Sequence, residues 1–112
     1  MTAVEVWTPV CALTDLIPGR GAAALLENHE QVAIFRSTGD EVYALSNIDP
    51  FSGAAVLSRG IVGDVRGVPV VASPMHKQRF DLRTGACLDA PGVTVAVHPV
   101  RVEDGRILVG SP

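Results

Sequence analysis

A chain of 112 residues, with 11 glycines and 8 prolines spread along its length, holds one domain spanning residues 1–112, because halves of that size would bury too small a core. Its formal net charge of −3, with no Lys/Arg block and no aromatic-rich basic segment, lacks the electrostatic footprint of a nucleic-acid binder. No apolar run approaches the ~20 residues that cross a bilayer, and Met1-Thr2-Ala3-Val4-Glu5 lacks the basic and apolar regions of a secretory signal, so a cytoplasmic protein with neither membrane nor nucleic acid as partner is expected.

In chain order, period-two alternation or dense β-branched content predicts strands over residues 4–10, 31–37, 41–45, 69–72, 93–97, 100–103 and 106–109. Short helical turns are expected near Leu13 to Leu16 and at Val56-Leu57. The run Ala22-Ala23-Ala24-Leu25-Leu26-Glu27 consists of strong helix formers, yet six residues are too few for a helix without tertiary help; helix and strand both stay open there. Turn chemistry separates the strands at Asn28-His29-Glu30, Thr38-Gly39-Asp40, Arg66-Gly67 and Asp104-Gly105. The last pair accepts the two positive φ angles of a type I′ hairpin. Val93, Val95 and Val97 would share one strand face. The two cysteines, Cys11 and Cys87, stand at no metal-ligand spacing and read as small buried apolar residues of a reducing compartment, with a disulfide disfavoured.

The stretch most suggestive of chemistry is Ser73-Pro74-Met75-His76, followed by Phe80-Asp81-Leu82-Arg83-Thr84-Gly85. It resembles the second cluster loop of Rieske iron–sulfur proteins, Cys-Pro-x-His and then Phe-Asp-x-x-Thr-Gly, with Ser73 at the cysteine position. Upstream, the run from Ala44 through Asp49-Pro50-Phe51-Ser52-Gly53-Ala54 resembles the approach to the first loop, Cys-x-His-x-Gly-Ala, with Asp49 at the cysteine position and Phe51 at the histidine position. A Rieske centre binds one iron through two thiolates and the other through two imidazoles. By this resemblance only His76 of the four ligand positions keeps its ligand.

The combination of Asn47-Ile48-Asp49-Pro50-Phe51-Ser52, Val56-Leu57-Ser58-Arg59-Gly60 and Ala72-Ser73-Pro74 is similar to the small subunit of assimilatory NAD(P)H-dependent nitrite reductase, over a likeness running from Trp7 nearly to the end. That resemblance implies an all-β, Rieske-like fold, an antiparallel β-sandwich or barrel without a cluster. It also implies a strand at residues 22–27, in a hairpin with residues 32–37. The chain itself would bind no cofactor and no metal. It would be a non-catalytic subunit partnered by a large subunit that carries FAD, siroheme and an iron–sulfur cluster, uses NAD(P)H and converts nitrite to ammonium. Two rivals follow from the same loops: a Rieske-type ferredoxin serving an oxygenase, and a free-standing Rieske-like binding module.

Within the loops, Phe51 is expected to fill part of the volume a cluster would take, so that apolar packing joins the loops. A contact between Asp49 and His76 across the tips would favour the imidazolium. Phe51, Arg59, His76, Lys77 and Arg79 are expected to form a partner-docking edge at the loop tips. Tyr43, Trp7, Phe35 and Phe80 read as core. No catalytic residue is visible: Ser73 lacks the Gly-x-Ser-x-Gly elbow, and Gly19-Arg20-Gly21 is too short for a phosphate loop.

Overall fold

The computed structural model describes residues 6–111. Ten strands occur, β1 (Val6–Ala12), β2 (Arg20–Leu25), β3 (Gln31–Arg36), β4 (Val42–Ser46), β5 (Ile61–Val65), β6 (Val68–Ala72), β7 (Arg79–Asp81), β8 (Val97–His98), β9 (Val100–Glu103) and β10 (Arg106–Ser111), with 3-10 turns at Leu13–Asp15 and Leu57–Arg59. They pair antiparallel into three sheets, ordered β1-β10-β9, β2-β3-β4-β8 and β5-β6-β7. The all-β, antiparallel expectation holds.

The middle sheet is apolar on both faces, and β3 shows why. In a strand successive side chains point to opposite faces, and all four of Val32, Ala33, Ile34 and Phe35 are buried. Val32 and Ile34 join one core with Ala44, Ile107 and Val109. Ala33 and Phe35 join a second with Leu45, Leu57, Val71, Phe80 and Leu82. The first core lies against the β1-β10-β9 sheet, and the second lies against the sheet that carries the loops. Each fully buried large side chain in either core contributes roughly 1.5–3 kcal/mol.

Of residues 22–27, Ala22 to Leu25 resolve as strand, with β2 pairing β3 from Arg20↔Arg36 to Leu25↔Gln31, while Leu26 and Glu27 lead into the turn. Tertiary packing overrides helix propensity here, because alternation puts Ala22 and Ala24 against the first core while Ala23 and Leu25 face outward. Both turns with paired positive φ fit type I′ hairpins: Arg66 and Gly67 have φ 52° and 85°, Asp104 and Gly105 50° and 73°. The flanking strands β1 and β10 bring Val6 opposite Ser111.

Several expectations need correction. Residues 93–97 do not run as one strand; Thr94 makes an isolated bridge to Ala86, and Val97–His98 pairs with β4. Upstream, the backbone turns to the loop region, where Cys87 N–H donates to Val93 O and Val95 N–H to Gly85 O. Strands β5 and β7 were not foreseen. Val4 and Glu5, the start of the first predicted strand, lie outside the described residues. Trp7 is half-buried rather than core, with the Arg101 guanidinium 4.4 Å from its ring centroid, and Tyr43 is also half-buried. Cys11 is half-buried and Cys87 buried, and both are free thiols. Burial and the nearby Asp15 carboxylate push the Cys11 thiol above its ordinary value.

Candidate functional site

The loops that resemble cluster loops are built to one plan. At Asp49, the backbone N–H donates to Ala54 O (2.9 Å), its carbonyl accepts from Gly53 N–H (2.8 Å), and its side-chain Oδ1 accepts from Phe51 N–H (2.8 Å). At Ser73, the N–H donates to Gln78 O (2.9 Å), the carbonyl accepts from Lys77 N–H (2.9 Å), and Oγ accepts from Met75 N–H (3.3 Å). The same set recurs at Asp81, with Ala86 O (2.9 Å), Gly85 N–H (2.8 Å) and Arg83 N–H (2.8 Å). In each turn the fifth residue has positive φ: Gly53 74°, Lys77 61° and Gly85 78°. In each turn the side chain of the first residue thus accepts the backbone N–H two residues further on. The third copy gives no separate signal in the sequence, where Asp81 reads only as part of the phrase that follows the second loop.

Asp49 and Ser73 are 0 % and 1 % exposed and meet each other: Ser73 Oγ donates to Asp49 Oδ2. Asp49 Oδ1 also lies within reach of Ser52 N–H (3.4 Å). Both oxygens of the buried carboxylate are therefore occupied, which offsets its desolvation. The expected Asp49–His76 contact is absent for that reason. Asp49 points inward beneath the tip, and His76 is exposed outside it.

Phe51 also departs from expectation. Its ring is 40 % exposed and lies 6.3 Å, centroid to centroid, from buried Phe80 at a 48° tilt. It caps the second core from outside, and the bond joining the loops is the polar one between Asp49 and Ser73. Asn47, unmarked in the sequence, ties the first loop to the Leu57–Arg59 turn. It is 2 % exposed, accepts from Ser58 N–H through Oδ1 (2.8 Å) and from Leu57 N–H through its carbonyl (3.1 Å), and donates its own N–H to Gln31 O (3.2 Å). A lone Asn after a strand gives no sequence signal of this role.

Of the five residues expected on a docking edge, Phe51, His76 and Lys77 are exposed on the loop turns. Arg79 is committed elsewhere: its backbone N–H, Nε and Nη2 all reach Asp89, at 2.8, 3.1 and 2.7 Å. The guanidinium's hydrogen bonds hold the Asp89 carboxyl below the usual carboxylate range. Arg59 lies in a separate cleft beside β2, with Arg20.

A two-iron cluster does not fit these residues. Phe51 offers no donor atom, Asp49 and Ser73 are spent on each other, and His76 is a single imidazole. Among the described residues no three His, Cys, Asp or Glu side chains gather into a group able to hold a metal ion.

Comparison with known proteins agrees with the fold and separates the readings. The family model described as a Rieske-like [2Fe-2S] domain matches residues 6–110. A nitrite reductase (NADH) small subunit from Salmonella typhimurium is 47% identical over 102 residues, covering 90% of this chain and 94% of that protein. A crystal structure from Mycobacterium tuberculosis, described as an NADH-dependent nitrite reductase small subunit, superposes with a TM-score of 0.95 at 53% identity over 98% of each chain. A nitrite reductase [NAD(P)H] large subunit from Klebsiella oxytoca is 45% identical over 105 residues, which are 94% of this chain but 11% of that protein. The ferredoxin component of a naphthalene 1,2-dioxygenase system from Pseudomonas putida is more distant, at 30% over 104 residues.

Proposed function

Because the chain belongs to the Rieske-like [2Fe-2S] domain family, and within it to the nitrite reductase small subunits, we propose that it is the non-catalytic small subunit of an NAD(P)H-dependent nitrite reductase. The partner is the large subunit, which in this reading carries FAD, siroheme and an iron–sulfur cluster and reduces nitrite to ammonium. One observation supports this most directly. In the Klebsiella oxytoca protein, a stretch equivalent to nearly this whole chain belongs to the large subunit itself, so the same domain on a separate chain has a natural seat against the rest of that subunit.

The contribution of this chain is a surface rather than a reaction. The exposed parts of the two turns, with Phe51, His76 and Lys77, form the proposed contact with the large subunit, and the buried Asp49–Ser73 bond holds them in register. Among the described residues no helix is long and apolar enough to cross a membrane, and use of NAD(P)H fits a cytoplasmic enzyme. The ferredoxin alternative requires thiolates that the loops lack.

The test is co-purification with the large subunit from the native host, paired with deletion of this chain. Loss of nitrite reduction, restored by the intact chain, is expected. Unchanged nitrite reduction after deletion would overturn the proposal. A free-standing module would show neither the co-purification nor the loss.

A further inference from the structure

We infer that the cleft between β2 and β5 is a groove for an extended acidic segment of the large subunit, a proposal that rests on the subunit assignment above. The cleft measures about 430 Å³ and is flanked by Arg20 and Gly21 of β2, Arg59 of the 3-10 turn, and Ile61 at the head of β5.

Four features coincide there. Arg36, Arg79, Arg83 and Arg101 each have a carboxylate within ion-pair distance; among the described residues Arg20, Arg59, Arg66 and Arg106 have none, and of these four Arg20 and Arg59 share the lining of this cleft. No acidic side chain lines the cleft. Two uncompensated guanidinium groups in one concavity concentrate positive potential on a chain of net charge −3. Beside them, Ile61 is 78 % exposed, more than any other large apolar side chain among the described residues. Finally, β2 and β5 are both edge strands of their sheets, and an edge strand presents backbone groups that an incoming extended chain can pair.

The chemistry selects the occupant. A small anion would satisfy the arginines and leave Ile61 bare. A second copy offering the same cleft would set arginine against arginine. A segment bearing two carboxylates and an apolar side chain meets all three groups at once. The cleft also adjoins the proposed loop contact: Ile61 pairs with Ala72, the residue before Ser73, so one partner surface can run from loop tip to cleft. Arg59, anticipated at the tip, takes its place in this groove, and Arg20 joins it from β2.

The experiment measures affinity of the purified large subunit for three forms of this chain by calorimetry at low salt. These are the unaltered chain, the Arg20→Glu/Arg59→Glu pair, and an Arg66→Glu/Arg106→Glu pair that makes the same charge change outside the cleft. Ile61→Ser serves as an uncharged fourth form, since a side chain this exposed is dispensable for folding. The cleft pair is expected to weaken binding by about tenfold or more, with the gap narrowing as salt is raised, and the control pair by about threefold or less. Ile61→Ser is expected to weaken binding without changing its salt dependence. A cleft pair that binds as tightly as the control pair overturns the groove and leaves the subunit assignment standing. Failure of the unaltered chain to bind overturns both. Loss of self-association in the cleft pair, with large-subunit binding intact, assigns the cleft to a second copy and also overturns the proposal.

Discussion

Asp49 and Ser73 join the two loops, where a Rieske protein has a metal bridge, by a hydrogen bond from the Ser73 hydroxyl to the Asp49 carboxylate, and the cost of burying that carboxylate is offset by backbone N–H groups already aimed at it. Removing either partner leaves the other buried and underbonded. Ser73→Ala is expected to destabilise the fold by about 1–3 kcal/mol and Asp49→Ala by about 3 kcal/mol. The double variant should lose less than the sum, with a coupling of about 1 kcal/mol or more. Urea unfolding of the four-member cycle reads this directly, and full additivity would remove the clasp. Asp89 gives a pH prediction. Hydrogen bonds from Arg79 lower its folded value, so its contribution is present above the unfolded carboxyl value of ~4 and is lost as pH falls through the lower folded value. Thermal melts below about pH 4 should show a shallower acid slope in Asp89→Asn than in the unaltered chain. Both loop positions were legible in the sequence as words, Asp-Pro-Phe and Ser-Pro. Their pairing was not, because sequence allows Asp49 to reach for His76, and only the inward aim of the first turn residue decides for Ser73. Arg20 was equally hidden, since nothing in Gly19-Arg20-Gly21 says which neighbour its side chain will meet.

For the strands, legibility tracks how far each segment depends on its neighbours. The β-branched runs of β3, β6, β9 and β10 were readable because alternation and turn residues agree. Strand β5 was missed because Ile61-Val62-Gly63-Asp64-Val65 contains two residues depleted in strands; its hairpin with β6 holds it in place. The opposite error arose at residues 93–97, whose valines advertise a strand while their backbone bonds go to the third turn. Close approach explains one glycine in the loop sheet. A Cβ on Gly60 would run into Ala72 O and Val71 Cγ2, whereas one on Gly63 would meet only Val70 Cγ2 at ordinary contact distance. Gly60→Ala should therefore cost about 1–3 kcal/mol in urea unfolding, while Gly63→Ala stays within about 0.5 kcal/mol. Equal effects at the two sites would show that the approach of the Leu57–Arg59 turn to β6 is not tight.

For the molecule as a whole, β3 contributes to both cores, so neither outer sheet can detach without exposing one face of the middle sheet. A single cooperative transition is the expected unfolding behaviour. Its midpoint should ignore chelators: with no metal contributing binding free energy to the folded state, EDTA and anaerobic handling should leave the melting temperature unchanged within about 1 °C, and purified protein should be colourless, without iron or acid-labile sulfide. A brown preparation or a chelator-sensitive midpoint would contradict the account of the loops. The pairing of Val6 with Ser111 has a further consequence. The two ends of the described domain lie side by side, so it can be stitched into a longer host polypeptide as a cassette, or circularly permuted by splicing those ends and reopening the chain at Asp104-Gly105, with every sheet left whole.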